Sequence, residues 1–183
     1  MSGFSFHTAP EVVVGAGCAH DLGPSCARLG VRHPLLVTDP GLMNLGLIDP
    51  IVKALSVQCQ SVSVFDGVTA DPAEEIVEAA LNTLRVKRCD GVIAVGGGSS
   101  MDVAKVVAVL AKGTQALADV YGVGNVEGER LPLILVPTTA GTGSEVTPVA
   151  VITTGATTKA GVSSPVLLPD IAILDAAMTL GLP

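Results

Sequence analysis

The run Gly91-Val-Ile-Ala-Val95 passes directly into Gly96-Gly-Gly-Ser-Ser-Met-Asp-Val-Ala-Lys105. An apolar run that halts in three glycines and then resumes with helix-forming residues reads as a buried strand, a tight turn and a helix opening at Ser99 or Ser100. Residues without a Cβ let backbone N–H groups approach an oxyanion closely, and the first turn of a helix adds unpaired N–H groups and the positive end of its dipole. The predicted guest is a phosphate or pyrophosphate. The same residues also suit a plain turn with a capped helix, Ser99 and Asp102 having capping-box spacing with Asp in place of the usual Glu.

Around this turn the chain alternates strand-like and helix-like segments. Runs of β-formers recur at Glu11–Val14, Pro34–Thr38, Ser61–Phe65, Gly91–Val95 and Pro132–Val136. The clearest predicted helix has Asp71 as N-cap, Pro72 at its first position, Glu74 and Glu75 in the first turn, and Arg85, Lys87 and Arg88 near its end. Ile76, Val77, Ala80, Leu81 and Leu84 give it one apolar face. A second helix, Asp102 to Lys112, is apolar nearly all round and is expected to be deeply covered. Val149–Thr154 and a polar segment through Lys159 suggest a β-hairpin, and the chain closes with Pro169–Asp175 and a short tail to Pro183. Aromatics make up only 2% of the residues, so Val, Leu, Ile and Ala must fill the core. Such a core suits parallel strands covered on both faces. The expected architecture is α/β, a Rossmann-like parallel sheet with helices on both faces plus a β-hairpin, and 183 residues fit one domain better than two.

Charge and cysteine usage narrow the function classes. A formal net charge of −7, with no cluster of Lys or Arg among aromatics, argues against nucleic acid as a partner. Cys18, Cys26, Cys59 and Cys89 form no Cys-x-x-Cys pair and show no zinc-ribbon spacing, so buried reduced thiols are expected. No apolar run approaches the length of a membrane span, the densest being Val106 to Ala111, and no Lys or Arg precedes an apolar stretch near the start. The expectation is a cytoplasmic protein without a membrane partner.

Two further segments bear on ligand binding. Val12-Val-Val-Gly-Ala-Gly17 with Asp39 downstream imitates a dinucleotide fingerprint, but His20 stands where the third glycine belongs, so the Gly96–Gly98 turn is the better pyrophosphate site. Asp39 either accepts both hydroxyls of a ribose, repelling a 2′-phosphate, or serves as a turn residue or N-cap before Pro40-Gly41. The run Val136-Pro-Thr-Thr-Ala-Gly-Thr-Gly-Ser-Glu-Val-Thr-Pro148 supplies Thr138, Thr139 and Thr142 as donors and two glycines where a ligand could lie against the backbone; a solvated loop would look the same. Lys159 either reaches the ligand or is a solvated hairpin residue. Catalytic groups are scarcer: His7, His20 and His33 form no metal-ligand pair, and there is no Gly-x-Ser-x-Gly elbow.

Taken in order, Pro10 and Gly15-Ala-Gly17, Val37-Thr-Asp-Pro-Gly-Leu42 with Leu45-Gly-Leu47, Asp71-Pro72, Gly96–Asp102 with Ala104-Lys105, Pro137–Thr147, Lys159, Pro169 and Asp175 resemble the N-terminal, nucleotide-binding part of the iron-containing, or group III, alcohol dehydrogenases. The resemblance extends over nearly the whole chain and implies the dehydroquinate synthase-like N-terminal fold. It implies that Asp39 meets the adenosine ribose of NAD, that Gly97, Gly98 and Ser99 hold the pyrophosphate, and that Thr138, Thr139 and Thr142 line the cleft. Thr147, Val149, Lys159 and Met178 fall where relatives contact the cofactor. Position 71 is Asp where many relatives carry Asn, which places an acid near the nucleotide. Relatives continue into a helical domain with one Asp and three His ligands for Fe2+ or Zn2+. None of these is present here, so residues 1–183 are expected to be the NAD-binding half of an alcohol dehydrogenase acting on small alcohols or aldehydes, incomplete alone and prone to self-association as a homo-oligomer. Rival readings are a free-standing nucleotide-binding module, a glycerol dehydrogenase, a maleylacetate reductase and a dehydroquinate synthase-type lyase.

Overall fold

The computed structural model describes residue 3 and residues 6–180. The expected domain span of 1–183 and the tail to Pro183 therefore include residues outside those described. Nine strands and five helices follow one another: β1 Glu11–Val14, α1 Leu22–Arg28, β2 Pro34–Val37, α2 Pro40–Asn44, α3 Ile48–Gln58, β3 Ser63–Phe65, α4 Glu74–Lys87, β4 Gly91–Gly96, α5 Gly98–Lys112, β5 Gly122–Val123, β6 Leu133–Pro137, β7 Val149–Thr154, β8 Thr158–Ser163 and β9 Ile171–Leu174 among the described residues.

Six strands form one sheet in the order β1-β9-β6-β4-β2-β3, every neighbouring pair parallel. Its central strands read as unbroken apolar runs because both faces are covered. Leu35, Val37, Val92, Ala94, Leu133 and Leu135 point toward α4, α5 and the hairpin, while Leu36, Ile93, Val95, Ile134 and Val136 point toward α1 and α3. Each such Val, Leu or Ile side chain contributes roughly 1.5–3 kcal/mol on burial. The predicted parallel sheet with helices on both faces is therefore the fold observed. The hairpin is also present, β7 pairing antiparallel with β8, and its second arm runs past Lys159 to Ser163; β8 in turn carries the short parallel strand β5.

Two helix starts differ from expectation. α4 begins at Glu74 and not at Pro72, and Asp71 is no N-cap. Asp71 adopts a left-handed backbone, with φ of 54°, and the Pro72 carbonyl accepts the Thr153 N–H at 2.8 Å. Pairing of this segment with β7 holds it extended until Ala73. α5 starts earlier than expected, at Gly98 with Gly97 as N-cap, and no side chain caps it. The capping box between Ser99 and Asp102 does not form, because Asp102 turns toward the segment that follows β6. As expected, α5 is buried almost all round, from Ser100 through Leu110.

The chain leaves β2 toward β3 on one side and leaves β4 toward β6 on the other. A crevice opens at the carboxyl ends of adjacent strands whose connections diverge in this way, and open parallel sheets bind ligands there. Asp39 follows one of these two strands and Gly97 the other.

Candidate functional site

At that switch point lies a cleft of about 690 Å³ lined by Asp39, Gly97, Gly98, Ser99, Thr138 and Thr139, among others. Its floor is the start of α5. The helix ladder reaches Gly97 only with the Met101 N–H, at 3.2 Å, and the preceding N–H groups of Gly98, Ser99 and Ser100 have no intrahelical acceptor and no capping side chain. The glycines are small for distinct reasons. A Cβ on Gly96 would lie 2.5 Å from Ser100 Oγ, so that position must be bare for strand to pass into helix. Cβ atoms on Gly97 and Gly98 would lie 3.3 Å from Thr139 Oγ1 and 3.6 Å from the Thr142 side chain, crowding the mouth of the cradle.

Asp39 fulfils the N-cap reading, its Oδ1 accepting the Leu42 N–H at 3.1 Å, and at the same time it is only half-buried and lines the cleft. Asp71 is exposed and pairs with Lys159, Oδ1 to Nζ at 2.6 Å, while Lys159 Nζ also donates to Thr153 Oγ1 at 2.9 Å. Thr147 and Val149 lie at the hairpin's start, outside the cleft's lining. Met178 is only 4% exposed and packs in the core beside α1 and α3, away from the cleft. The structure thus gathers Asp39, Gly97, Gly98, Ser99, Thr138 and Thr139 around one space, sets Thr142 against Gly98, and leaves the hairpin residues and Met178 outside. A smaller cavity of about 290 Å³, lined by Pro137, Thr139, Ala140, Glu145, Leu174 and Asp175 among others, shares Thr139 with the cleft.

The competing glycine turn after β1 is already filled. Asp175, 2% exposed, accepts the Gly17 N–H at 2.9 Å, the Ala19 N–H at 3.0 Å and the Ala177 N–H at 2.9 Å. Burial alone would raise its carboxyl; the N–H groups of Ala19, Gly17 and Ala177, with His20 nearby, outweigh that and hold it below the usual carboxylate range. A second anion would have to displace this carboxylate from the Gly17 and Ala19 N–H groups.

One buried constellation leaves little mark in the sequence. Lys105, on the second turn of α5, is wholly buried and donates to Val149 O at 2.7 Å, Ser144 Oγ at 2.9 Å and Thr147 O at 3.1 Å. Ser144 Oγ donates in turn to Asp102 Oδ1 at 2.6 Å, and Asp102 Oδ2 accepts the Val151 N–H at 3.0 Å. Burial pushes Lys105 down to about 8, against the pull of Asp102 and Glu145, and pushes Asp102 up. The readable signal was an Asp–Lys pair three residues apart inside an otherwise apolar helix. The unfolded lysine keeps its proton to about 10.4 and so binds more protons than the folded one above pH 8; holding the ammonium charged in the core at neutral pH costs about 3 kcal/mol.

A family model described as iron-containing alcohol dehydrogenase matches residues 9–176. The chain belongs to the iron-containing alcohol dehydrogenase family. Long-chain-alcohol dehydrogenase 1 of Geobacillus thermodenitrificans is 42% identical over 173 residues, which are 93% of this chain and 44% of that protein. The NAD-dependent methanol dehydrogenase of Bacillus methanolicus is 34% identical over 93% of this chain and 45% of its own length. Among solved structures, a 1,3-propanediol oxidoreductase superposes with a TM-score of 0.94 at 32% identity, covering 100% of this chain and 48% of that one. A sulfoacetaldehyde reductase from Bifidobacterium kashiwanohense in complex with NAD+ gives 0.91 at 31% identity, covering 100% and 49%. The chain thus spans about half the length of these relatives. Among the described residues no three His, Cys, Asp or Glu side chains converge to hold a metal ion, and no helix is long and apolar enough to cross a membrane.

Proposed function

We propose that this chain is the NAD-binding part of an alcohol dehydrogenase that oxidises small alcohols or reduces aldehydes. The observation that carries this reading is the uncapped start of α5 facing the cleft at the sheet's switch point. The free N–H groups of Gly98, Ser99 and Ser100, with the helix dipole behind them, receive the pyrophosphate. Asp39 accepts from the adenosine ribose with the oxygen its N-cap bond leaves over, and Thr138, Thr139 and Thr142 supply hydroxyls along the dinucleotide. The nicotinamide end extends toward the smaller cavity across Thr139. The ligands for the family's metal belong to the portion of the longer relatives that this chain does not span, and such a metal would polarise the alcohol oxygen as a Lewis acid. Alcohol or aldehyde is the small-molecule partner, and further copies of the chain the macromolecular one.

The test is cofactor preference. In fluorescence titrations, Asp39→Ala weakens NADH about tenfold and improves NADPH, because one carboxylate both accepts from the 2′-hydroxyl and repels a 2′-phosphate. An unchanged NADH/NADPH ratio would remove Asp39 from the ribose. The Asp71–Lys159 pair gives a second expected outcome. Asp71→Asn releases the Lys159 ammonium beside the cleft, so NADH binds two- to fivefold more tightly at low salt and the gain fades at high salt. Titrations at two ionic strengths check this.

A further inference from the structure

The buried Asp102–Lys105–Ser144 network lies outside the cleft, and no step of cofactor binding described above uses it. Five of its bonds link two residues of one helix turn to a single stretch of chain. Lys105 takes Ser144, Thr147 and Val149, and Asp102 takes Ser144 and Val151. That stretch continues the threonine-rich loop whose Thr138 and Thr139 line the cleft and whose Thr142 stands over Gly98. The helix turn they hold is the one next to the phosphate cradle.

We infer that Lys105 is a positioning residue for the cofactor, a buried ammonium clamp that fixes the threonine loop over the start of α5. This rests on the cleft being the NAD site. Apolar residues in place of the whole Asp102–Lys105 pair would fill the core without the cost of burying two charges, so the pair is poorly explained by fold stability alone. What only the ammonium supplies is three donors for three acceptors converging from one loop. Deprotonation removes the charge and one of those donors. The charged groups acting on Lys105 are Asp102 from its own helix and Glu145 from the turn after the loop, both favouring the ammonium; β4, β6, β7 and α4 contribute no charge that acts on it.

The experiment is NADH affinity as a function of pH for the parent, Lys105→Met and Lys105→Arg, with amide hydrogen exchange of residues 144–151 as a readout that needs no cofactor. For the parent, Kd is flat to about pH 7.5 and rises at least threefold by pH 9.5, while thermal stability does not fall in the same window. Lys105→Met binds NADH about tenfold more weakly at pH 7, loses the pH dependence and exchanges faster over 144–151 than over the rest of the sheet. Lys105→Arg keeps affinity closer to the parent and stays flat with pH, since a guanidinium does not titrate there. Should either variant misfold, the parent's own pH profile decides, and Ser144→Ala, which removes one acceptor, repeats the exchange test more gently. A parent Kd that is independent of pH together with unaltered exchange in the variants overturns the clamp. Absence of NADH binding at every pH overturns the cofactor reading instead, and the exchange data still judge the clamp.

Discussion

Gly97→Val weakens NADH at least a hundredfold while the protein unfolds at nearly the same denaturant concentration as the parent. The two halves of this expectation come from one geometry. Gly97 has φ −75° and ψ −173°, extended backbone that valine adopts readily, so the fold is not strained by the change. The new Cβ, however, stands 3.3 Å from Thr139 Oγ1, and its two methyl groups occupy the space where an oxyanion meets the N–H groups of α5. A diphosphate must then give up its charge-assisted bonds, each worth about 1.5–3 kcal/mol. Titration of NADH fluorescence alongside equilibrium denaturation measures both quantities. Equal affinity in the variant would place the pyrophosphate elsewhere.

Asp175→Ala has the opposite profile, destabilising the fold by about 3 kcal/mol because the buried N–H groups of Gly17, Ala19 and Ala177 lose their acceptor. Asp175→Asn, which keeps a carbonyl oxygen, recovers part of that loss. Since the folded carboxyl titrates below its unfolded value, the stabilisation is complete above the unfolded pKa, near 3.9, and disappears as pH falls through the lower folded pKa. Urea denaturation between pH 2 and 6 reads the effect as a difference between parent and variant that closes at the acid end. A difference that persists unchanged at pH 2 would deny the carboxylate its role.

These two aspartate and glycine positions show where residue patterns carry the fold and where they stop. Strand runs and the βα alternation are legible because the central strands are covered on both faces and must be continuously apolar, as in Leu133–Pro137 and Gly91–Gly96. The cradle is legible for a similar reason: glycines at a strand end followed by a helix have few structural alternatives. The start of α4 is not, since Asp71-Pro72 carries every local mark of a helix start and yields to a backbone pairing with Thr153, a partner 81 residues away from Pro72. Nor is the fate of the turn after β1, whose Gly17 and Ala19 N–H groups are satisfied by a carboxylate more than 150 residues downstream. The Lys105 clamp is hidden for another reason: its acceptors, 39 to 44 residues away, are mostly backbone carbonyls, which every residue possesses. Long-range pairing of polar groups leaves little trace in local patterns, and the site's supporting bonds are largely of this kind. Family resemblance brings Met178 and the hairpin residues forward as contacts; in this chain's own geometry Met178 is core and Lys159 is bound to Asp71.

A crystal structure of the protein soaked with NADH is the most direct measurement of the central claim. The diphosphate oxygens are expected within hydrogen-bond distance of the Gly98, Ser99 and Ser100 N–H groups, with the adenosine ribose at Asp39. A diphosphate bound at Gly15–Gly17 with Asp175 displaced, or held by side chains away from the start of α5, would contradict it.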